Sequence, residues 1–208
     1  MAGNALAELL NDGIPRLYAP RTRMLRQGED GTHLLVLTGG VARVVLGKED
    51  GTDLWLAHRG PGCLLGDMSV LSGAVRNASV IAVSPCTAVV LHRDRFLRRV
   101  ESGALASLLY RQLLARQHEM DLAHSEQWSL PVKVRLAGLL VRLVGLSGSP
   151  RITGWTQADL ARAAGASLSA ITPVLRTLTT AGMVQVKRRL ITVTDLPALR
   201  ALAAATRA

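Results

Sequence analysis

Aromatic residues are scarce in this chain: one Phe, two Tyr and three Trp make up 3% of 208 residues. Since 49% of the residues are apolar, a core can still form, but Leu, Val, Ala and Ile must build it. No run of about 18 or more apolar residues occurs, which argues against a membrane-spanning helix and so against a membrane partner. The start, "MAGNALAELLNDGIPRLYAPRTR", lacks a basic segment followed by a long apolar one. It reads as a short amphipathic helix and not as a secretory signal. Cysteine is rarer still. Cys63 and Cys86 are too few for a disulfide scaffold or for the roughly four thiolates of an iron–sulfur cluster. They are expected to be reduced, in a cytoplasmic protein, and to act as small buried hydrophobes. His58 and Cys63 could together ligate a haem or metal, but a histidine on a strand reads first as polar surface, and His118 and His124 fall on different helix faces. No metal site is expected. No Gly-rich phosphate loop, metalloprotease helix or nucleophile elbow is present, so the chain does not read as an enzyme.

Acidic residues are missing from one end only. Residues 127–208 carry 11 Lys/Arg against two acids, Asp159 and Asp195, a balance of +9; residues 1–126 balance at +1. A basic surface confined to one region points to a polyanionic partner, with nucleic acid ahead of a membrane surface.

What is present falls into three parts. From about residue 22 to 92 the apolar pattern has period two. "HLLVLTGGVARVVLG" reads as two strands in a hairpin around Gly39-Gly40, and "KEDGTDLWLAHR" as a second hairpin around Glu49-Asp50-Gly51. Pro61-Gly62 and Ser84-Pro85 punctuate further strands. Regular short strands predict a small barrel or roll within residues 1–102. Residues 104–126 then predict a long helix with a coiled-coil-like seam of Ala106, Leu109, Leu113, Arg116, Met120 and Ala123, Arg116 being its polar guest. A homodimer through residues 103–127 is expected, with Ala106, Leu109, Leu113 and Met120 at the interface. Leu105 and Leu108 form a second stripe suited to packing on the roll.

Residues 128–208 form the third part. A helix is expected to start near Ser129-Leu130-Pro131 and to end at the loop from Gly145 to Pro150. Thr156 and Asp159 are spaced as a capping box for a helix through Ala164. Gly165 suits a left-handed turn, and Ser167 can cap the next helix. Leu160, Ala164, Ile171 and Leu175 would form the core of a helix-turn-helix. "GMVQVKRRLITVTD" follows as a hairpin with Lys187, Arg188 and Arg189 at its tip. That is a winged helix-turn-helix, whose second helix enters the major groove while the wing touches phosphates. Pro173 sits inside that helix. Either the helix kinks there, or it begins at Thr172 with Pro173 in its first turn.

The whole succession, from about residue 15 to 195, resembles the CRP/FNR superfamily of bacterial transcription regulators. "RQGEDGTHLLVLTGGVARVV" is similar to that family's first strands, "GPGCLLGDMSVLSGAVRNASVIAVSPCTAVVLHRDRF" to its phosphate-binding cassette, and "LPVKVRLAGLLVRL" with "TQADLARAAGASLSAITPVLRTL" to its DNA-binding half. The resemblance implies an α+β chain: an N-terminal β-roll of cyclic-nucleotide-binding type, a long dimerisation helix and a C-terminal winged helix-turn-helix. It implies double-stranded DNA as partner, a cyclic nucleotide as effector, and RNA polymerase as a partner if the protein activates.

The sequence departs from that pattern at both sites. In the cassette, Gly66 is followed by Asp67 in the glutamate place; Arg76 holds the arginine place and Asn77 the hydroxyl place. Met120, Asp121 and Leu122 offer no hydroxyl pair for adenine. These changes argue against intact cyclic AMP sensing, and the plain alternative is that Asp67 and Arg76 pair with each other. In the recognition helix, Leu168, Ser169, Thr172 and Pro173 stand where the family commonly has Arg and Glu. Ser167, Ser169, Thr172 and Arg176 are the residues left to meet bases. The expected function is a homodimeric DNA-binding regulator with an altered effector pocket. The alternative is a small-molecule sensor that acts through protein–protein contacts.

Overall fold

The computed structural model describes residues 2–49 and 53–205, without the side chains of 2–5 and 123–128. Asp50 and Gly51, expected at a hairpin tip, and the side chain of Ala123 lie outside the described residues. The chain divides into two compact units, residues 1–118 and 119–208.

In order, the first unit holds α1 (Ala2–Asn11), β1 (Ile14–Tyr18), β2 (Arg23–Leu25), β3 (His33–Gly39), β4 (Ala42–Gly47), β5 (Asp53–Arg59) and β6 (Leu64–Leu65). Then come α2 (Asp67–Ser72), β7 (Ser79–Ala82), β8 (Cys86–His92), α3 (Arg93–Glu101) and the start of α4 (Ala106–Ser129). The strands form two four-stranded antiparallel sheets, β1-β8-β3-β6 and β2-β7-β4-β5. The run "LLVL" of β3 is apolar throughout because both of its faces are covered. Leu35 and Leu37 point into the roll with Leu25, Leu65, Val80 and Ala88. Leu34 and Val36 face a second cluster with Leu9, Leu91, Phe96, Leu105 and Leu108, contributed by β8, helices α1 and α3, and the start of α4. Arg99 of α3 ties α1 down through Glu8 (2.5 Å) and Asp12 (2.8 Å).

One expected hairpin is overturned. β3 pairs with β8 and β6, while β4 pairs with β5 and β7. The Gly39-Gly40 turn therefore carries the chain from one sheet to the other. Gly40 has φ of +80°, and a Cβ there would strike the Pro85 carbonyl. The reason is burial: β3 must be covered by helices on one face, and only the sheet shared with β8 provides them.

The second unit holds the rest of α4, then α5 (Val132–Ser147), β9 (Arg151–Thr153), α6 (Gln157–Ala163), α7 (Leu168–Thr180), β10 (Val184–Lys187), β11 (Leu190–Val193) and α8 (Leu196–Ala204). Its sheet runs β10-β11-β9. Leu136, Leu140, Leu160, Ile171, Leu175, Leu178, Val184, Ile191 and Leu199 are buried. Here α5 runs through Gly145 to Ser147 and stops at left-handed Gly148, with Pro131 at its N-cap. The strand β9 and the helix α8 have no counterpart among the elements expected from sequence. Among the described residues no helix is long and apolar enough to cross a membrane, and no group of three or more His, Cys, Asp or Glu could hold a metal ion.

Candidate DNA interface and effector cassette

The cassette begins with a backbone constraint. Gly66, at φ +80°, precedes α2, and a Cβ on it would collide with Nη1 of Arg76 and press on Leu25. Arg76 is 3% exposed. Its Nη2 donates to the His33 carbonyl (2.6 Å), and its Nη1 donates to Ser69 Oγ (3.3 Å) and the Gly66 carbonyl (3.5 Å). Burial lowers its pKa, opposed by the charge of Glu29, but a guanidinium keeps its proton in a protein. The same burial, reinforced by Arg76, pushes the His33 imidazole below its ordinary pKa. Asn77 is exposed.

Asp67 opens α2 and is 5% exposed. Its partner is Arg116, not Arg76. Arg116 Nη1 donates to Asp67 Oδ2 at 3.0 Å and Nη2 to Oδ1 at 3.1 Å, a two-pronged charge-assisted pair. Nη2 also donates to the Leu64 carbonyl at 2.7 Å. One turn earlier on α4, Gln112 accepts from the Leu64 N–H (3.2 Å) and donates to the Gly62 carbonyl (3.2 Å). The pairing of Asp67 with Arg76 is thus overturned, and so is the placing of Arg116 in an outward seam. The cause is the long helix, which brings a second guanidinium to the carboxylate while backbone and Ser69 acceptors take the first.

On α4, Leu108 is buried, as is Leu105 just before the helix, and Leu109 packs half-buried against the same core. Ala106, Tyr110, Leu113, Leu114 and Met120 are exposed. Tyr110 and Leu114, at 68% and 69%, are not part of the expected seam; they belong to the same outward side by spacing of three and four. Cys86 is buried in the roll and Cys63 packs against that core, both as free thiols. Burial pushes the Cys86 thiol up.

In the second unit the capping box is formed: Thr156 N–H donates to Asp159 Oδ2 (2.9 Å) and Asp159 N–H to Thr156 Oγ1 (3.1 Å). Gly165 turns the chain at φ +59°. Ser167 Oγ caps α7 by accepting from Ala170 N–H (3.2 Å). Because α7 begins at Leu168, Pro173 is its sixth residue, and a start at Thr172 is overturned. Proline offers no N–H to the carbonyl four residues back, Ser169. Ile171, Leu175 and Leu178 are buried; Ser169, Pro173, Arg176 and Thr177 are exposed. Lys187, Arg188 and Arg189 are exposed around the β10–β11 turn, with Arg189 at φ +57°. From residue 127 on the acids are Asp159 and Asp195; both serve as helix caps, Asp195 by accepting from Ala198 N–H at 2.9 Å, and Asp159 also faces Arg162 at 3.8 Å. The basic surface has little to oppose it.

The Asp67–Arg116 pair yields a quantitative expectation. Removing one partner of a buried pair costs about 3–5 kcal/mol, and Arg116 keeps 20% of its side chain exposed. Arg116→Met is therefore expected to cost about 3 kcal/mol in urea unfolding, at the lower end of that range. Adding Asp67→Asn should restore part of the loss, with a coupling above about 1 kcal/mol in the double-mutant cycle. Additive single effects would contradict the pairing.

Comparison with known proteins places this geometry. Residues 15–102 match the cyclic nucleotide-binding domain, and residues 134–202 match the Crp-like helix-turn-helix domain. The chain is 32% identical over 175 residues to the cyclic AMP receptor protein of Thermus thermophilus, covering 82% of this chain and 79% of that protein. In fold it is similar to a CRP-family transcriptional regulator of Thermus thermophilus, with a TM-score of 0.76 at 22% identity over 90% of this chain and 96% of that one. It is also similar to the c-di-GMP-responsive global regulator CLP of Xanthomonas campestris, with a TM-score of 0.73 at 20% identity over 92% and 98%. A roll with a nucleotide cassette, a long helix and a capped, basic winged helix-turn-helix thus meet in one chain, which belongs to the CRP/FNR family of DNA-binding transcription regulators and not to a family of enzymes.

Proposed function

We propose that the protein binds promoter DNA as a homodimer and that its cassette is closed by its own side chains instead of by cyclic AMP. The observation that carries this reading is the two-pronged Asp67–Arg116 pair. A ribose hydroxyl would have to compete with a guanidinium for that carboxylate. A cyclic phosphate would have to draw Arg76 away from the His33 carbonyl. A buried polar group left unpaired costs about 1–3 kcal/mol. Two such losses weaken binding by about a hundredfold, at about 1.4 kcal/mol per tenfold. The Thermus relative is named for cyclic AMP and the Xanthomonas regulator for c-di-GMP. Similar rolls thus go with different nucleotides, which agrees with an altered pocket here.

The homodimer reading rests on the exposed side of α4. Tyr110, Leu113, Leu114 and Met120 expose between 53% and 69% of their surface, and burying each large apolar side chain is worth roughly 1.5–3 kcal/mol. A second copy of the helix is the cover such a stripe suits. Two recognition helices would then meet half-sites about one helical turn, roughly 34 Å, apart. Where the regulator activates, RNA polymerase is the expected further partner. The intact caps and the excess of Lys and Arg over acids from residue 127 on favour this reading over a sensor that works through protein contacts alone.

Two measurements test the proposal. Leu113→Glu combined with Met120→Glu is expected to give monomers in sedimentation velocity; a double variant that stays dimeric would contradict the assigned face. Replacing Lys187, Arg188 and Arg189 with Ala should weaken binding to every duplex about equally. It should also reduce the slope of log K against log salt by about 0.9 for each phosphate no longer neutralised. An unchanged slope would remove the wing from the interface.

A further inference from the structure

The outward side of α7 has an unusual chemical make-up for a helix that meets base edges. Leu168, in its first turn, lies in line with the buried Leu175, but its place at the N-terminal end of the helix leaves it 49% exposed. Pro173 lies opposite the buried Ile171, Leu175 and Leu178, at the middle of the exposed side. Hydroxyl donors are nearby, but the helix uses three of the four itself, one serine of the Ser167–Ser169 pair keeping its proton. Thr172 Oγ1 donates to the Leu168 carbonyl (2.9 Å), Thr177 Oγ1 donates to the Pro173 carbonyl (3.1 Å), and the Ser167 and Ser169 hydroxyls hydrogen-bond each other at 2.9 Å. Arg176 is the one long donor on this side of α7.

The major groove offers a limited set of counterparts. Guanine presents acceptors, cytosine a donor, adenine one of each, and thymine an acceptor beside its C5-methyl group. A spent hydroxyl no longer donates to guanine O6 or N7. A leucine side chain and a pyrrolidine ring hydrogen-bond to no base edge at all. Their one match in the groove is the thymine methyl, which apolar side chains contact. The basic surface around them, with Arg176 on the same helix, favours DNA over a protein as the occupant.

We propose that α7 reads its half-site largely through thymine methyl groups, contacted by Leu168 and Pro173, with Arg176 supplying the polar contact. The inference rests on the DNA-binding reading of the winged helix-turn-helix. It also accounts for the proline: a rigid apolar ring is a useful reader where a methyl group is the mark. A helix held by Ile171, Leu175 and Leu178 tolerates the missing hydrogen bond.

The test is selection from random duplexes by the full-length protein, followed by single replacement of thymine with deoxyuridine in the enriched site. Deoxyuridine keeps the base pair and removes only the methyl. Each critical methyl should be worth about fourfold in affinity, from ~0.8 kcal/mol per buried methyl-sized group at ~1.4 kcal/mol per tenfold. Leu168→Ser should abolish the thymine–uracil difference at one position of the half-site, and Pro173→Ser at another, each leaving the other position intact. Far-UV circular dichroism and the urea midpoint of both variants should stay at or above the parent's, which shows that the domain still folds. Uracil bound within about 1.5-fold of thymine at every position, a margin well inside the fourfold expected from methyl burial, would overturn the proposal. So would discrimination that survives both substitutions, or the absence of any enriched sequence. Failure of the parent protein to bind any duplex at low salt would overturn the DNA-binding reading along with it.

Discussion

The Arg116 guanidinium is the joint on which the first unit depends. It grips both oxygens of Asp67 and the Leu64 carbonyl, while Gln112 closes the neighbouring backbone groups. Two turns earlier the same stretch of chain is anchored by Leu105 and Leu108 in the apolar cluster with Phe96. The cassette, the roll and α4 are therefore fixed to one another by charge at one end and by burial at the other. Salt bridges on protein surfaces contribute little. This one differs because Asp67 has almost no water to fall back on, its side chain being 7% exposed.

That joint also sorts the sides of α4. With Leu105, Leu108 and Leu109 turned to the roll and Arg116 to the cassette, the residues left outside are Tyr110, Leu113, Leu114 and Met120. The helix then continues into the DNA-binding unit. There the division of labour is similar. Asp159 and Asp195 serve as caps, and against 11 Lys and Arg in residues 127–208 they leave the basic side chains to set the field that DNA meets. Affinity from such a field is general, because phosphates carry no sequence information. On the reading proposed above, discrimination comes from α7, where apolar and self-satisfied groups outnumber free donors.

Local signals were legible in the sequence; long-range pairings were not. The capping box at Thr156 and Asp159, the Gly165 turn, the Ser167 cap and the hairpin of the wing all depend on residues within a few positions of each other, and all formed as expected. The buried faces of Leu160, Ala164, Ile171 and Leu175 followed from spacing alone. The glycine pair at 39–40 misled, because a tight turn looks the same whether the next strand pairs back or crosses to another sheet. Arg116 misled for a related reason. Helical spacing places it near the seam, and only the fold reveals a carboxylate 49 positions away in sequence. The helix α8 has an ordinary Asp cap and a proline in its first turn, signals that were present but sat beyond the recognisable wing.

Amide hydrogen exchange, followed across residues 62–76 and 105–118 with and without saturating cyclic AMP, tests the self-closed cassette most directly. The account predicts that protection of the cassette and of the first half of α4 is already present in the free protein and is unchanged by the nucleotide. Protection that appears only when cyclic AMP is added would show that the nucleotide, and not Arg116, holds the cassette to the helix.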